Sequence, residues 1–137
     1  MRHEFPTNDA PFFTPNSAGA HIHSKVQPRD GEIVVLKHHV NVFRETDLEA
    51  ILDQQGVDDL VICGAMSHMC VDAATRAASH LGYRCEVVHD ACATRDQEFH
   101  GEIIRAADVH GAFMAALGFG YAKLVSTREY LEGEAPK

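Results

Sequence analysis

A cysteine, Cys70, lies at the junction between a predicted strand and a predicted helix, in the segment CGAMSHMCVDAATRAASHLG (residues 63–82). The first turn of a helix carries unpaired backbone N–H groups and the positive end of the helix dipole, and both stabilise an anion. A thiol in this position ionises more readily than a free thiol, and the thiolate is the nucleophile. The pattern therefore predicts a nucleophilic cysteine. The alternative is that Cys70 packs beneath its helix as a small apolar side chain.

A lysine, Lys37, ends the apolar run EIVVLK (residues 32–37). Ligands of parallel α/β sheets bind beyond the carboxyl ends of the strands, so this residue and Cys70 are both predicted at the ligand-binding edge. The lysine cation would then lie near the thiolate and favour its ionised form. The alternative is that Lys37 extends its side chain to water.

The other three cysteines, Cys63, Cys85 and Cys92, form no C-x-x-C pair with each other or with Cys70, which argues against a zinc ribbon or a thioredoxin-like site. Cys63 and Cys85 lie in apolar, strand-like runs, so we expect both to be buried as small apolar side chains. The ten histidines show no H-E-x-x-H or similar ligand spacing. The sequence therefore indicates neither a metal site nor a cofactor.

Strand-like and helix-like segments alternate along the chain and must position these side chains. We expect Thr46 to cap the first helix, with Glu49 completing a capping box and Gly56 ending the helix. Uniformly apolar strands joined by helices indicate a mostly parallel sheet with helices on both faces, a three-layer, Rossmann-like α/β fold. The predicted strands are residues 32–37, 59–65, 84–90 and 122–127, and the predicted helices are residues 45–56, 69–82 and 101–118.

The first 31 residues differ from the rest, because they combine a short strand, RHEF, with a long loop that carries four of the five prolines. Loops of this length often line a binding site. We expect one domain over residues 1–137, with its α/β core at residues 32–131.

The composition of the chain restricts the classes of partner that we expect it to bind. The net charge of −8, with no cluster of Lys and Arg, argues against nucleic acid. The longest nearly apolar stretch, residues 112–122, is far shorter than the ~20 residues that span a bilayer. The N-terminus lacks the pattern of a secretory signal, so we expect a cytoplasmic protein. The apolar segment GAFMAALGFG is hard to leave exposed and favours a homo-oligomer.

Three segments of the chain together resemble the signature blocks of the isochorismatase-like cysteine hydrolases, which include nicotinamidases and related amidases. They are VVLKHHVNVF, LVICGAMSHMCVDAATRAASHLGY and VVHDACAT, and the likeness runs in order from about residue 32 to the end. The resemblance implies that Cys70 is the catalytic nucleophile and that Lys37 belongs to its triad. It implies hydrolysis of a C–N bond in a small amide or imide through a thioester on Cys70.

The resemblance also implies how the reaction would be supported. It places a non-proline cis peptide bond between Ala65 and Met66, with the N–H groups of Met66 and Cys70 as the oxyanion hole. Asn41 and Phe43 fall in the stretch that lines the family's pocket. The long loop would close this pocket with Phe12 or Phe13.

Two departures from the family pattern bear on function. The segment HEFPTNDAPF lacks the D-x-H-x-x-x-H type of metal site of nicotinamidases, which disfavours nicotinamide as the substrate. The family's first strand, which ends in the aspartate of the triad, has no counterpart in this sequence, so we expect an N-terminally shortened chain. Asp90 is a poor substitute because the aspartate of this block is expected to hold a turn, and Asp9 and Asp30 lie in the long loop.

Two classes of function remain open. The first is a hydrolase of small amides. The second is a catalytically impaired or non-catalytic α/β module that keeps the pocket for binding or assembly.

Overall fold

The computed structural model describes residues 1–133. The chain divides into two compact units, Met1–Gln55 and Gly56–Lys137. Cys70 belongs to the second unit and Lys37 to the first.

The first unit contains a pair of short parallel strands, β1 (Arg2–His3) and β2 (Leu36–Lys37). The predicted strand at residues 32–37 is therefore only two residues long, over the positions opposite β1. The segment between the strands contains two 3-10 turns, Ala18–Ala20 and Ser24–Val26, and is otherwise irregular, in agreement with the predicted long loop.

Helix α1 (Leu48–Gln54) follows in the first unit. Its N-cap is Asp47, so the predicted capping box of Thr46 and Glu49 is wrong. The Thr46 hydroxyl donates to the Val42 carbonyl oxygen at 2.6 Å and accepts from the N–H of Leu48 at 3.4 Å. The predicted stop is confirmed, because Gly56 has a φ of +63°, a conformation that glycine adopts without steric cost.

The second unit is built on a three-stranded sheet in the order β3-β4-β7, with both pairings parallel. An antiparallel hairpin, β5-β6, forms a separate two-stranded sheet in the same unit. This confirms an α/β fold whose strands are mostly parallel. The elements are β3 (Asp59–Ala65), α2 (Asp72–His80), β4 (Arg84–Ala93), β5 (Gln97–Phe99), β6 (Glu102–Ile104), α3 (Ala106–Gly120), β7 (Lys123–Val125) and α4 (Thr127–Glu132).

The hairpin corrects the helix predicted at residues 101–118, since α3 begins only at Ala106. The two residues of its turn, His100 and Gly101, have φ values of 52° and 82°. Two positive φ values in succession are what a tight hairpin turn requires, and glycine supplies one readily. The burial of Cys85 is confirmed, whereas Cys63 is exposed, because β3 is an edge strand of this sheet and most of its residues are exposed.

A compact apolar cluster fixes the segment that carries Cys70. Val71, the next residue, packs with Val87 of β4 and with Met114 and Leu117 of α3, and all four side chains are buried. Within residues 1–133, none of the helices is both long enough and apolar enough to span a membrane.

Candidate active site

The chain changes direction sharply between β3 and Cys70. Gly64 has a φ of +129°, which favours glycine, and the peptide bond between Ala65 and Met66 is cis. A π-helical turn, Ser67–Val71, then carries Cys70 into α2. The predicted α-helix from residue 69 therefore starts with a wider turn, a feature that often marks functional sites.

This turn is closed by its own backbone. The Met66 carbonyl oxygen accepts hydrogen bonds from the N–H groups of Met69 at 3.0 Å and Val71 at 3.3 Å. Cys70 is half-buried, between the exposed Met69 and the buried Val71. The turn thus brings Met66 and Cys70 together on one short, rigid segment and leaves the thiol partly accessible.

Two side-chain pairs tie this turn to the rest of the second unit. The hydroxyl of Ser67, which is fully buried, lies 2.8 Å from Nδ1 of His110 on α3. Nδ1 of His68 lies 2.6 Å from the hydroxyl of Thr94, just beyond β4. Neither pair was predicted from the sequence. His68 and Thr94 each lie in a segment that carries the family resemblance, which is the one signal that points to them.

Replacing Ser67 by Ala is expected to lower the free energy of unfolding by about 1–3 kcal/mol, because the His110 nitrogen loses its partner in a partly buried setting. Urea denaturation measures the change. Ser79→Ala is the matched control, on the half-buried surface of α2, and should change the free energy by less than about 0.5 kcal/mol. Equal effects of the two substitutions would contradict the role given to the Ser67 pair.

Lys37 is buried in its own unit, with 4% of its surface exposed, so its side chain does not extend to water. The ammonium nitrogen lies 2.9 Å from Nδ1 of His3 and 2.9 Å from the carbonyl oxygen of His39. Lysine is rarely buried without such polar partners. The Lys37 ammonium group at the end of β2 is therefore held in place by hydrogen bonds. Its neighbour His3 was not predicted from the sequence.

The predicted pocket residues of the first unit fall into two groups. Phe13 stacks on the His3 ring with 5.4 Å between centroids, and Phe12 meets Phe13 edge to face at 5.2 Å. Both phenylalanines are partly exposed. Asn41, in contrast, uses its side-chain oxygen to accept from the N–H of Phe43 at 3.0 Å, which closes its own turn. Among the predicted pocket residues, Phe13 thus contacts His3, the partner of Lys37, and Phe12 contacts Phe13.

The carboxylate of Asp90 is hydrogen-bonded to Thr127. One oxygen accepts from both the N–H (2.6 Å) and the hydroxyl (2.7 Å) of Thr127, at the start of α4. These two hydrogen bonds lower the pKa of Asp90 below its usual value. Asp9 and Asp30 are both exposed. The Asp90 carboxylate thus joins β4 to α4.

Several histidines have hydrogen-bond partners other than a second histidine or a cysteine: a hydroxyl for His68 and His110, the lysine ammonium for His3, a carbonyl oxygen for His38 and the Glu45 carboxylate for His39. Among residues 1–133, no group of three or more His, Cys, Asp or Glu side chains is placed to hold a metal ion.

Comparisons with known proteins agree on one family. The family model of the Isochorismatase domain matches residues 1–117. The isochorismatase family protein YddQ of Bacillus subtilis, whose function is uncharacterized, is 46% identical over 132 residues, which cover 96% of this chain and 73% of that protein. Streptothricin hydrolase of Streptomyces noursei is 44% identical over 82 residues, 60% of this chain and 30% of that enzyme.

A solved structure extends the likeness to the fold. The crystal structure of an isochorismatase-type hydrolase from Oleispira antarctica superposes with a TM-score of 0.92 at 57% identity, and the match covers 96% of this chain and 70% of that one. The α/β fold described above is therefore the fold of these hydrolases.

Proposed function

Since this chain belongs to the isochorismatase family of hydrolases, we propose that it hydrolyses a C–N bond in a small amide or imide, with Cys70 as the nucleophile. The observation that carries the proposal is the position of Cys70. A half-buried thiol lies on the π-helical turn Ser67–Val71, which follows the carboxyl end of β3. Parallel α/β folds bind their ligands at this end of the strands.

The choice of a C–N bond has two supports. A cysteine nucleophile suits acyl transfer, because a thioester forms and hydrolyses readily. A relative of this chain is named as a hydrolase of streptothricin, although the match covers less than a third of that enzyme.

In the proposed reaction, the Cys70 thiolate attacks the carbonyl carbon and forms a C–S bond. The electron pair of the carbonyl moves to oxygen, where the N–H groups of Met66 and Cys70 would stabilise the negative charge. The C–N bond then breaks as the nitrogen takes up one proton, which balances the proton that the thiol lost. An amide thus releases ammonia or an amine, and an imide releases an amide. A water molecule hydrolyses the thioester to the acid and regenerates the thiol. Lys37 would supply a positive charge that favours the thiolate.

Selective alkylation tests the nucleophile without any knowledge of the substrate. At neutral pH, iodoacetamide is expected to modify Cys70 at least about tenfold faster than the other three cysteines. Burial raises the pKa of both Cys85 and Cys92, so these thiols should react slowly. Cys63 is the internal control, because it is exposed and lies on the same strand–turn segment.

Accessibility alone would make Cys63 the fastest thiol, so a faster Cys70 demonstrates activation. Cys63 and Cys70 share the tryptic peptide of residues 45–76, so the label must be located by fragment ions. Equal, slow modification of the two would contradict the hydrolase and favour a non-catalytic module that keeps the pocket for binding or assembly.

Turnover is tested with a panel of small amides, imides and ureides, followed by ammonia release. Hydrolysis that depends on Cys70 supports the proposal. If Cys70 is alkylated rapidly but no compound of the panel is hydrolysed, the thiol is activated and the proposed substrate class is contradicted.

A further inference from the structure

The His3 ring and the Lys37 ammonium are held together by neighbouring strands. His3 of β1 is directly opposite Lys37 of β2 in the parallel register. The ammonium nitrogen lies 2.9 Å from Nδ1 of His3, and it also donates to the His39 carbonyl oxygen at 2.9 Å. Two of the three N–H bonds of the ammonium group therefore have fixed directions.

Aromatic side chains hold the His3 ring in place. Its centroid lies 4.8 Å from that of Phe5 and 5.4 Å from that of Phe13, which is stacked on it. The Phe5 N–H donates to the Phe13 carbonyl oxygen at 2.9 Å, so the loop that carries Phe13 is tied to the end of β1. Rotation of the imidazole away from Lys37 would have to displace these rings.

The chemistry of the pair determines the protonation state of His3. A lysine ammonium has three donors and no acceptor, so Nδ1 of His3 must accept and the ring proton must be on Nε2. Burial lowers the pKa of His3 and the Lys37 charge lowers it further, whereas a backbone hydrogen bond with His38 opposes them in part, so that the net shift is downward. His3 is therefore a neutral acceptor at neutral pH.

We propose that His3 is a positioning residue for Lys37, which fixes the ammonium group at the end of β2 through a neutral acceptor. This inference rests on the proposed function, in which Lys37 supplies positive charge to the Cys70 thiolate. A carboxylate in the place of His3 would also hold the ammonium, but it would cancel its charge. A neutral imidazole holds the group and leaves its charge available. Fixing the long lysine side chain also removes conformational freedom that would otherwise weaken the effect of its charge on the thiolate.

Two variants of nearly equal size separate positioning from packing. His3→Leu removes the acceptor, whereas the oxygen of His3→Asn can take the place of Nδ1. With any amide that the wild-type protein hydrolyses, kcat/KM should fall roughly tenfold to a hundredfold in His3→Leu and stay within about fivefold of wild type in His3→Asn. His38→Asn is the control, because the hydrogen bond of the His38 ring joins its Nδ1 to the Glu4 carbonyl oxygen at 2.7 Å. It should change kcat/KM less than His3→Leu does.

Two further measurements keep this inference distinct from the proposed function. Nitrogen-15 NMR of labelled histidine should show the proton of His3 on Nε2, and its pKa should rise toward the ordinary value in Lys37→Met. The alkylation rate of Cys70 in the same variants reports the lysine charge when no substrate is available.

The positioning role is supported if Cys70 is alkylated more slowly in His3→Leu and the rate is restored in His3→Asn. A folded His3→Leu protein with wild-type turnover and alkylation overturns it, as does an Nδ1-protonated His3. If the NMR result is as expected but Lys37→Met does not change the reactivity of Cys70, the proposed use of Lys37 in catalysis is contradicted. The His3–Lys37 pair would still be established.

Discussion

Cys70→Ala is expected to abolish hydrolysis and to leave the fold intact. The thiolate forms the covalent bond to the acyl group in the proposed reaction. Removal of a covalent nucleophile commonly lowers kcat by more than about a thousandfold. The free energy of unfolding should change little, because Cys70 is only half-buried and the neighbouring Val71 makes the contact with the apolar core.

The measurement is kcat/KM for the best amide of the panel, together with thermal unfolding of both proteins. Cys63→Ala is the matched control, since it removes an exposed thiol from β3 and should leave turnover near the wild-type value. Retained turnover by a folded Cys70→Ala protein would exclude the thioester reaction and the hydrolase mechanism built on it.

Lys37→Met should lower both turnover and the reactivity of the Cys70 thiol. Methionine keeps the length and the apolar stem of the lysine side chain, so the substitution mainly removes the positive charge from a buried position. A cation near a thiolate favours its ionised form, and its loss should cost roughly tenfold to a hundredfold in rate. The alkylation rate at neutral pH and kcat/KM should fall together.

A surface lysine supplies the control for this substitution. Lys25 is exposed in the 3-10 turn Ser24–Val26 of the first unit, and Lys25→Met should change neither rate appreciably. Lys37→Arg restores a positive charge and should recover part of the lost reactivity, although the guanidinium is larger and planar. Unchanged alkylation of Cys70 in the Lys37→Met protein would show that the lysine does not act on the thiol.

The sequence by itself determined the features that depend on local pattern. The alternation of strands and helices, the bounds of β3 at residues 59–65 and the end of α1 before Gly56 all follow from apolar periodicity and from the conformational freedom of glycine. The position of Cys70 directly after β3 follows in the same way. These features are encoded within about a dozen neighbouring residues, so one pass along the chain reveals them.

The errors lie at the ends of elements. The Thr46 hydroxyl donates to the Val42 carbonyl oxygen and also accepts from the N–H of Leu48, but Asp47 and not Thr46 is the N-cap residue. The residues before α3 have helical character, but the turn at His100 and Gly101 folds them into the β5-β6 hairpin. In both cases, two local conformations are compatible with the residues, and their surroundings select one.

Only the tertiary structure decided which side chains surround the candidate catalytic groups. Ser67 meets His110 across 43 residues, His3 meets Lys37 across 34 residues, and His68 meets Thr94 across 26 residues. No periodicity or spacing connects such distant partners. They are brought together by the pairing of strands and the packing of helices, and burial then requires each polar group to find a partner within reach.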